Sequence, residues 1–242
     1  MISSRPQRRL SGSNTCNMRI LCISDILGDY GSFDPTVMAE ADICVVAGNV
    51  TQYGLSRHST DEIGYARTWL GALGQHYPTF VIPGNHDIGV RNSEFARIPG
   101  VTPVLNTPAG YGDMTIRGVS MTPAHHYPRM ASMFDHMTIN PREEDEAFLF
   151  AYADIVISHS PPYGCLDRVR SKDASQPGGI HVGSAPFLRY IEKHSPKLVV
   201  CGHVMGNAGI KKIGETTVVN AAKAILVAEL GDCYETAIPK AA

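Results

Sequence analysis

The sequence predicts an α/β domain, because strand-like and helix-like patterns alternate along it. Short, continuous runs of aliphatic residues bounded by turn residues are typical of strands that helices cover on both faces. Such runs lie at 18–24, 42–48, 79–84, 154–158 and 197–202. Segments with apolar residues at helical spacing lie between them, and this alternation favours strands and helices packed in layers.

Two segments predict helices. The first, 59–75, begins with Ser59 and Glu62 at the spacing of a capping box, and its apolar residues then recur every three or four positions. In the second, Ser184 is the predicted N-cap and Pro186 falls in the first turn.

The last part of the chain has a different pattern. Three runs, at 208–213, 216–220 and 223–230, predict consecutive strands and therefore a second sheet. The segment 163–183 is rich in glycine and in charges of both signs, and we expect a long loop there.

Composition bounds the class of protein. The chain has 242 residues, of which 43% are hydrophobic and 18% charged, as in a globular protein with a buried core. A net charge of −2 gives no field that would attract nucleic acid or an anionic membrane. The segment 1–17 contains three arginines and no acidic residue, which predicts a disordered tail before a single domain over 18–242.

The six cysteines form no CxxC pair, so a zinc ribbon or a thioredoxin-type site is not expected. Cys22, Cys44 and Cys201 lie inside apolar runs and are predicted to be buried thiols. The sequence contains neither the apolar stretch of a signal peptide nor a run long enough to span a membrane. We therefore expect a cytoplasmic protein.

Each predicted parallel strand is followed by a side chain that can bind metal or transfer protons. These residues, in chain order, are Asp25, Asn49, Asn85, His159 and His203. Ligands bind at the carboxyl edge of open α/β sheets, so we expect all five in one cleft. Carboxylate, amide and imidazole donors together suit divalent ions, which can activate water and bind a phosphoryl oxygen.

The same blocks resemble those of the calcineurin-like metallophosphoesterases, whose series is roughly DxH, GD, GNH[DE], H and GHxH. The matching segments are SDILGD (24–29), VVAGNV (45–50), IPGNHD (82–87), ISHSPP (157–162) and CGHVMG (201–206). The resemblance covers about 18–230, and GNHD is its most specific block. It implies a four-layer fold in which two mixed sheets form a sandwich flanked by helices.

The resemblance also implies roles for individual positions. Positions 25, 27, 49 and 205 would bind a first metal, and positions 49, 85, 159 and 203 a second. His86 would lie beside the scissile phosphate and assist the leaving group, and Asp87 would orient His86.

Three of these ligand positions depart from the family pattern. Leu27 and Met205 replace histidines, and Asn49 replaces the bridging aspartate. On an extended backbone residues two apart face the same way, so positions 27 and 205 would each place apolar atoms beside the first metal. A site of Asp25, Asn49, Asn85, His159 and His203 is then expected to bind one divalent ion weakly (Mn, Fe, Zn, Ni or Mg).

Two functions stay open on the sequence. One is a metal-dependent hydrolase of phosphomonoesters or phosphodiesters with an altered, single-metal site. The alternative is a catalytically inactive module of the same fold that binds a phosphorylated ligand or a protein partner. The expected ligand is a small phosphate-containing molecule, without nucleic acid or membrane, and assembly of several copies is left open. His125, His126 and His181 are further candidates for phosphate or metal contacts.

Overall fold

Two six-stranded sheets form the frame of the protein in the residues that the computed structural model describes: 17–55, 61–119, 122–123, 138–139, 151–169, 178–231 and 236–237. The predicted tail (1–17) lies outside these residues except for its last position. Ser59, His125 and His126 also lie outside them.

The first sheet has the order β16-β15-β1-β2-β3-β4. Its strands are β1 (Met18–Ile23), β2 (Ile43–Val46), β3 (Thr79–Val81), β4 (Val101–Pro103), β15 (Ile225–Leu230) and β16 (Thr236–Ala237). Strands β1 to β4 are parallel, and β15 pairs antiparallel with β1.

The second sheet has the order β13-β14-β12-β9-β6-β5. Its strands are β5 (Ala109–Tyr111), β6 (Met114–Val119), β9 (Ile155–Ser158), β12 (Leu198–Cys201), β13 (Gly209–Ile213) and β14 (Thr216–Asn220). The four inner strands are parallel, and the two edge strands are antiparallel to their neighbours.

Two short ladders and three helices complete the described elements. The ladders pair β7 (Thr122–Pro123) with β8 (Thr138–Ile139), and β10 (Arg168–Val169) with β11 (Ile180–His181). The helices are α1 (Glu62–His76), α2 (Asn92–Phe95) and α3 (Ala185–His194). Two 3-10 turns lie at Gly31–Phe33 and Pro35–Val37.

The core has three layers of packing, which explains why the predicted strands are apolar on both faces. Alternate residues of β1 separate: Ile20 and Cys22 pack between the two sheets, whereas Leu21 and Ile23 pack against the α1 side. A third cluster joins the outer face of the second sheet to α3 and includes the fully buried Phe187. The order helix, sheet, sheet, helix confirms the predicted four-layer fold class.

The five strands expected from apolar runs are all present, and so is the Ser184 cap, whose Oγ accepts a hydrogen bond from Phe187 N (3.1 Å). The first helix begins at Glu62 with Asp61 as its N-cap. The C-terminal strands do not form a sheet of their own. The strands at 209–213 and 216–220 join the second sheet, but the one at 225–230 returns to the first, because its residues bond along β1.

The predicted loop 163–183 contains the β10–β11 ladder, so it is not structureless throughout. The three cysteines predicted to be buried thiols are fully buried and free. Among the described segments, no helix combines the length and the apolar character needed to cross a membrane.

Candidate functional site

The carboxyl ends of parallel strands from both sheets meet in one cleft, and the predicted site residues lie there. Asp25, Asn49 and Asn85 follow β1, β2 and β3 of the first sheet. His159 and His203 follow β9 and β12 of the second sheet. Hydrogen bonds join the two groups, because His203 N donates to Asp25 Oδ2 (2.7 Å) and His159 Nε2 lies 2.8 Å from Asn85 Oδ1.

Four cleft residues have a left-handed backbone that residues other than glycine rarely adopt. The φ angle is 57° at Asp25, 53° at Leu27, 56° at Asn49 and 66° at His203. Neither 25–27 nor 203–205 is therefore extended, and the expectation that paired positions face the same way on extended backbone is wrong. Such conformations persist where the surrounding structure imposes them, and they concentrate at functional sites.

The loops of the cleft approach one another so closely that glycine is required where they meet, as positions 84 and 202 illustrate. A Cβ atom on Gly202 would clash with Ser24 Oγ and Asp25 Oδ2. A Cβ atom on Gly84 would clash with Asn49 Oδ1. The absence of a side chain at both positions is what allows the polar groups to come together.

Asp25 is buried, and hydrogen bonds occupy both of its carboxylate oxygens. Oδ2 accepts from Ser24 Oγ (2.8 Å) and from His203 N (2.7 Å). Oδ1 accepts from Asn49 Nδ2 (2.8 Å). Three donors thus satisfy a carboxylate that is 1% exposed.

The partners of Asn49 fix which end of its amide faces which neighbour. Its Oδ1 accepts from His86 N (2.8 Å), which can only donate. Its Nδ2 donates to Asp25 Oδ1 (2.8 Å) and, more weakly, to Asn85 Oδ1 (3.3 Å). A flipped amide would place its oxygen against a carboxylate and its N–H groups against an N–H donor, so the observed orientation is the stable one.

His159 is fully buried between two oxygens that both accept hydrogen bonds. Its Nδ1 lies 2.7 Å from the carbonyl oxygen of Ala47, and its Nε2 lies 2.8 Å from Asn85 Oδ1. A neutral imidazole has one N–H group, so the second contact needs another proton or a cation. A backbone carbonyl that accepts Nδ1–H is a common support for a histidine that binds metal through Nε2. The ring of His203 lies beside it, with the centroids 5.2 Å apart.

His86 and Asp87 follow Asn85 directly but contact different groups. His86 Nδ1 lies 3.1 Å from the carbonyl oxygen of Gln52. Asp87 is fully buried, and it accepts from Gly84 N (2.8 Å), Val50 N (3.3 Å), Thr51 N (2.8 Å) and Thr51 Oγ1 (2.7 Å).

Three of these bonds, from Val50 and Thr51, tie the loop after β2 to the loop after β3, and the bond from Gly84 N lies within the loop after β3. Burial raises the pKa of the Asp87 carboxyl group, and its hydrogen bonds oppose that rise. Asp87 therefore supports the loops that present the cleft residues. Its predicted role in orienting His86 stays a prediction.

Apolar side chains stand at the two remaining positions of the first metal. Leu27 is half-buried, and Met205 is 53% exposed. The Lys223 ammonium group donates to the carbonyl oxygen of Ile26 (2.9 Å), which places a positive charge one residue from Leu27. Sequence reasoning missed Ser24, Thr51 and Lys223. The partners of Thr51 and Lys223 are distant in the chain, and the sequence does not show that the Ser24 hydroxyl donates to Asp25.

The donor set decides which ion could bind. In the described part of the chain, no three His, Cys, Asp or Glu side chains form a group with metal-binding geometry. The first position does not suit a cation, because Asn49 presents N–H groups there and Asp25 is already hydrogen-bonded. The second position suits one ion better, since Asn85 Oδ1 and the two imidazoles offer lone pairs without any protein charge.

His181, the third loop histidine, belongs to a separate cluster. Its Nδ1 donates to the buried Asp167 Oδ1 (2.6 Å), and its Nε2 accepts from Arg168 Nε (3.2 Å). Asp167 also accepts from Gly164 N and Gly183 N (3.0 Å each). These contacts close the base of the β10–β11 ladder.

Comparison with known proteins agrees with the fold and the motif series. Residues 18–207 match the family model described as calcineurin-like phosphoesterase. The chain belongs to the calcineurin-like phosphoesterase family. Proteins of this family generally use divalent metals.

Curated relatives carry the family name. The chain is 26% identical over 235 residues to the human metallophosphoesterase domain-containing protein 1, covering 84% of this chain and 65% of that protein. An uncharacterized protein of Methanocaldococcus jannaschii is 25% identical over 229 residues, which is 84% of this chain and 87% of the relative. The chain thus spans 65% of the length of its human relative.

Solved structures support the fold. The crystal structure of TT1561 of Thermus thermophilus superposes with a TM-score of 0.58 at 17% identity, covering 93% of this chain and 100% of that one. A further crystal structure reaches a TM-score of 0.67 at the same identity and coverage. At this level of identity the likeness concerns the fold alone.

Proposed function

We propose that the protein hydrolyses small phosphomonoesters or phosphodiesters with one divalent ion (Mn, Fe, Zn, Ni or Mg) bound between Asn85, His159 and His203. The observation that carries this proposal is the 2.8 Å approach of His159 Nε2 to Asn85 Oδ1. When Nδ1–H of His159 donates to the Ala47 carbonyl, Nε2 and Asn85 Oδ1 are both acceptors and repel each other at that distance. An ion that both can coordinate would remove the repulsion.

Charge explains why we expect the resting protein to bind this ion weakly. The three donors are neutral, and the carboxylate of Asp25 is already engaged by Ser24, Asn49 and His203. Binding an ion there offsets its lost hydration with lone pairs only. A phosphate ester would supply the missing negative charge, so ion and substrate should bind cooperatively.

The residues around the ion have distinct roles in this proposal. When bound, the ion would polarise the phosphoryl group and lower the pKa of a water molecule. The Ala47 carbonyl holds the His159 ring so that Nε2 faces Asn85 Oδ1. The Gln52 carbonyl accepts from Nδ1 of His86, so a proton given to the leaving oxygen would come from Nε2 of a ring that carries protons on both nitrogens.

A second candidate function is a binding module without turnover. It is favoured by the Asn49 amide, whose N–H groups face Asp25 and Asn85 where the family has a bridging carboxylate. In that case the cleft would bind a phosphorylated ligand or support a protein contact. For either function, the buried free thiols Cys22, Cys44 and Cys201 suit a reducing compartment such as the cytoplasm.

Metal analysis and hydrolysis assays separate the two functions. Protein purified without chelator is analysed for metal, and an aryl phosphodiester is then supplied with Mn, Ni, Mg or Zn. The enzyme predicts metal-stimulated turnover that His203→Ala abolishes and that His76→Ala, a change at an exposed histidine on α1, leaves intact. Absence of stimulated turnover together with binding of inorganic phosphate would favour the binding module.

A further inference from the structure

Asn49 differs from the family's bridging aspartate in more than charge, because its amide presents donors where the aspartate would present an oxygen. We propose that Asp25 and Asn49 act as a positioning pair and not as metal ligands: the Asn49 side-chain NH2 group stands in for the first ion and turns the oxygen of Asn85 towards His159.

The first step of the argument is the orientation of Asn49. His86 N is an obligate donor and Asp25 Oδ1 an obligate acceptor, and they lie at opposite ends of the amide, both at 2.8 Å. Asn49 is 2% exposed, so water cannot replace either partner easily. The carboxylate thus receives an N–H group from the side on which the family would have a cation.

The second step concerns the Asn85 amide, whose orientation depends on that of Asn49. The other N–H of Asn49 points to Asn85 Oδ1 at 3.3 Å. If the Asn85 amide were flipped, two NH2 groups would face each other. Asp25 therefore determines, through Asn49, that an oxygen of Asn85 and not its nitrogen lies 2.8 Å from His159 Nε2. The order of dependence is Asp25, Asn49, Asn85 and then the ion.

Exchanging the two side chains tests the pair. Asn49→Asp alone places two carboxylate oxygens about 2.8 Å apart, which is costly for buried charges. Asp25→Asn alone opposes two amide nitrogens, because Ser24 Oγ and His203 N hold the oxygen of the new amide. In the double variant Asp25→Asn/Asn49→Asp, the amide at position 25 would donate to the carboxylate at position 49. Ser24 and His203 would keep their acceptor, and His86 N would keep its own.

Thermal unfolding at pH 8 in EDTA measures the pair without any ion. We expect each single change to lower Tm by about 8 °C or more and the double change to recover most of that loss. Asn106→Asp is the matched control, since Asn106 is exposed and has the same left-handed φ (57°). A double variant no more stable than the single ones would overturn the proposal. If a single variant gives no folded protein, the Tm of the double variant is compared with that of the unchanged protein.

Calorimetry with MnCl2 adds the ion, and this arm rests on the proposed function. The exchanged pair has no N–H group at position 49 to donate to Asn85 Oδ1, so the oxygen of Asn85 is no longer held towards His159. We therefore expect Mn to bind at least about 10-fold more weakly than to the unchanged protein. Equal or tighter binding would mean that position 49 coordinates the ion and would contradict its assignment as a positioning residue. If no variant binds Mn, the proposed function fails, while the thermal measurement in EDTA still judges the pair.

Discussion

The two halves of the cleft differ in how their polar groups are satisfied. Around Asp25 and Asn49, donors and acceptors match, and the group is complete without an ion. Around His159, the Ala47 carbonyl oxygen and Asn85 Oδ1 lie 2.7 Å and 2.8 Å from a ring that has one N–H group when neutral, so the group is incomplete without a cation or a further proton. The difference between the halves comes from position 49, where an amide replaces the family's carboxylate. The amide donates to Asp25 and Asn85 on one side and accepts from His86 N on the other.

The largest effect is expected from removing an imidazole of the incomplete half. His159→Ala deletes the lone pair opposite Asn85 Oδ1 and should weaken Mn binding by at least about 100-fold. Calorimetry of the purified variant measures this loss, and His76→Ala on the outside of α1 should leave the affinity unchanged. Retained affinity in His159→Ala would place the ion elsewhere in the protein.

Restoring the missing histidines sharpens the comparison. Leu27→His/Met205→His supplies two imidazoles to the first position, yet we expect it to bind no second ion, because the Asn49 N–H groups still point there. Adding Asn49→Asp should raise the stoichiometry towards two. Metal analysis of the double and triple variants checks this. A second ion in the double variant would show that the absence of the two histidines alone prevents metal binding at the first position.

The sequence predicts where these side chains are but not how they face. The apolar runs and their order place Asp25, Asn49, Asn85, His159 and His203 at one edge, because carboxyl ends of parallel strands share an edge. The orientation of Asn49 depends on His86 N, which is distant in the chain and close only after folding. No pattern of residue types encodes such a contact.

Backbone geometry sets a similar limit at the ends of the strands. Periodicity extends the strand of Met18–Ile23 beyond its end, whereas Asp25 and Leu27 adopt left-handed φ angles that follow from contacts with the loop after β2. The last strand shows the limit at the level of topology. Its apolar pattern identifies 225–230 as a strand. The pattern does not show that this strand pairs antiparallel with β1, because that pairing joins the two ends of the domain and forms only on folding.

A third prediction concerns Asp87, whose hydrogen bonds join the loop after β2 to the loop after β3. Asp87→Ala leaves the N–H groups of Gly84, Val50 and Thr51 without their acceptor in a buried place. We expect the free energy of unfolding to fall by about 3 kcal/mol or more, as measured by urea denaturation. Asp113→Ala, at an exposed turn, should change it little. A small effect at Asp87 would mean that the two loops do not depend on this carboxylate.

The smallest effect is expected within the satisfied half. Ser24→Ala removes the hydroxyl that donates to Asp25 Oδ2, and His203 N still donates to the same oxygen. A loss of about 1 kcal/mol in urea denaturation is therefore expected. Ser158 is the matched control, because its Oγ is equally buried but has no hydrogen-bond partner in the described part of the chain, so Ser158→Ala should cost less. Asp25 orients Asn49 through its other oxygen, so Ser24→Ala should leave the Mn affinity unchanged. If Asp25 were itself a ligand, Ser24→Ala would weaken Mn binding.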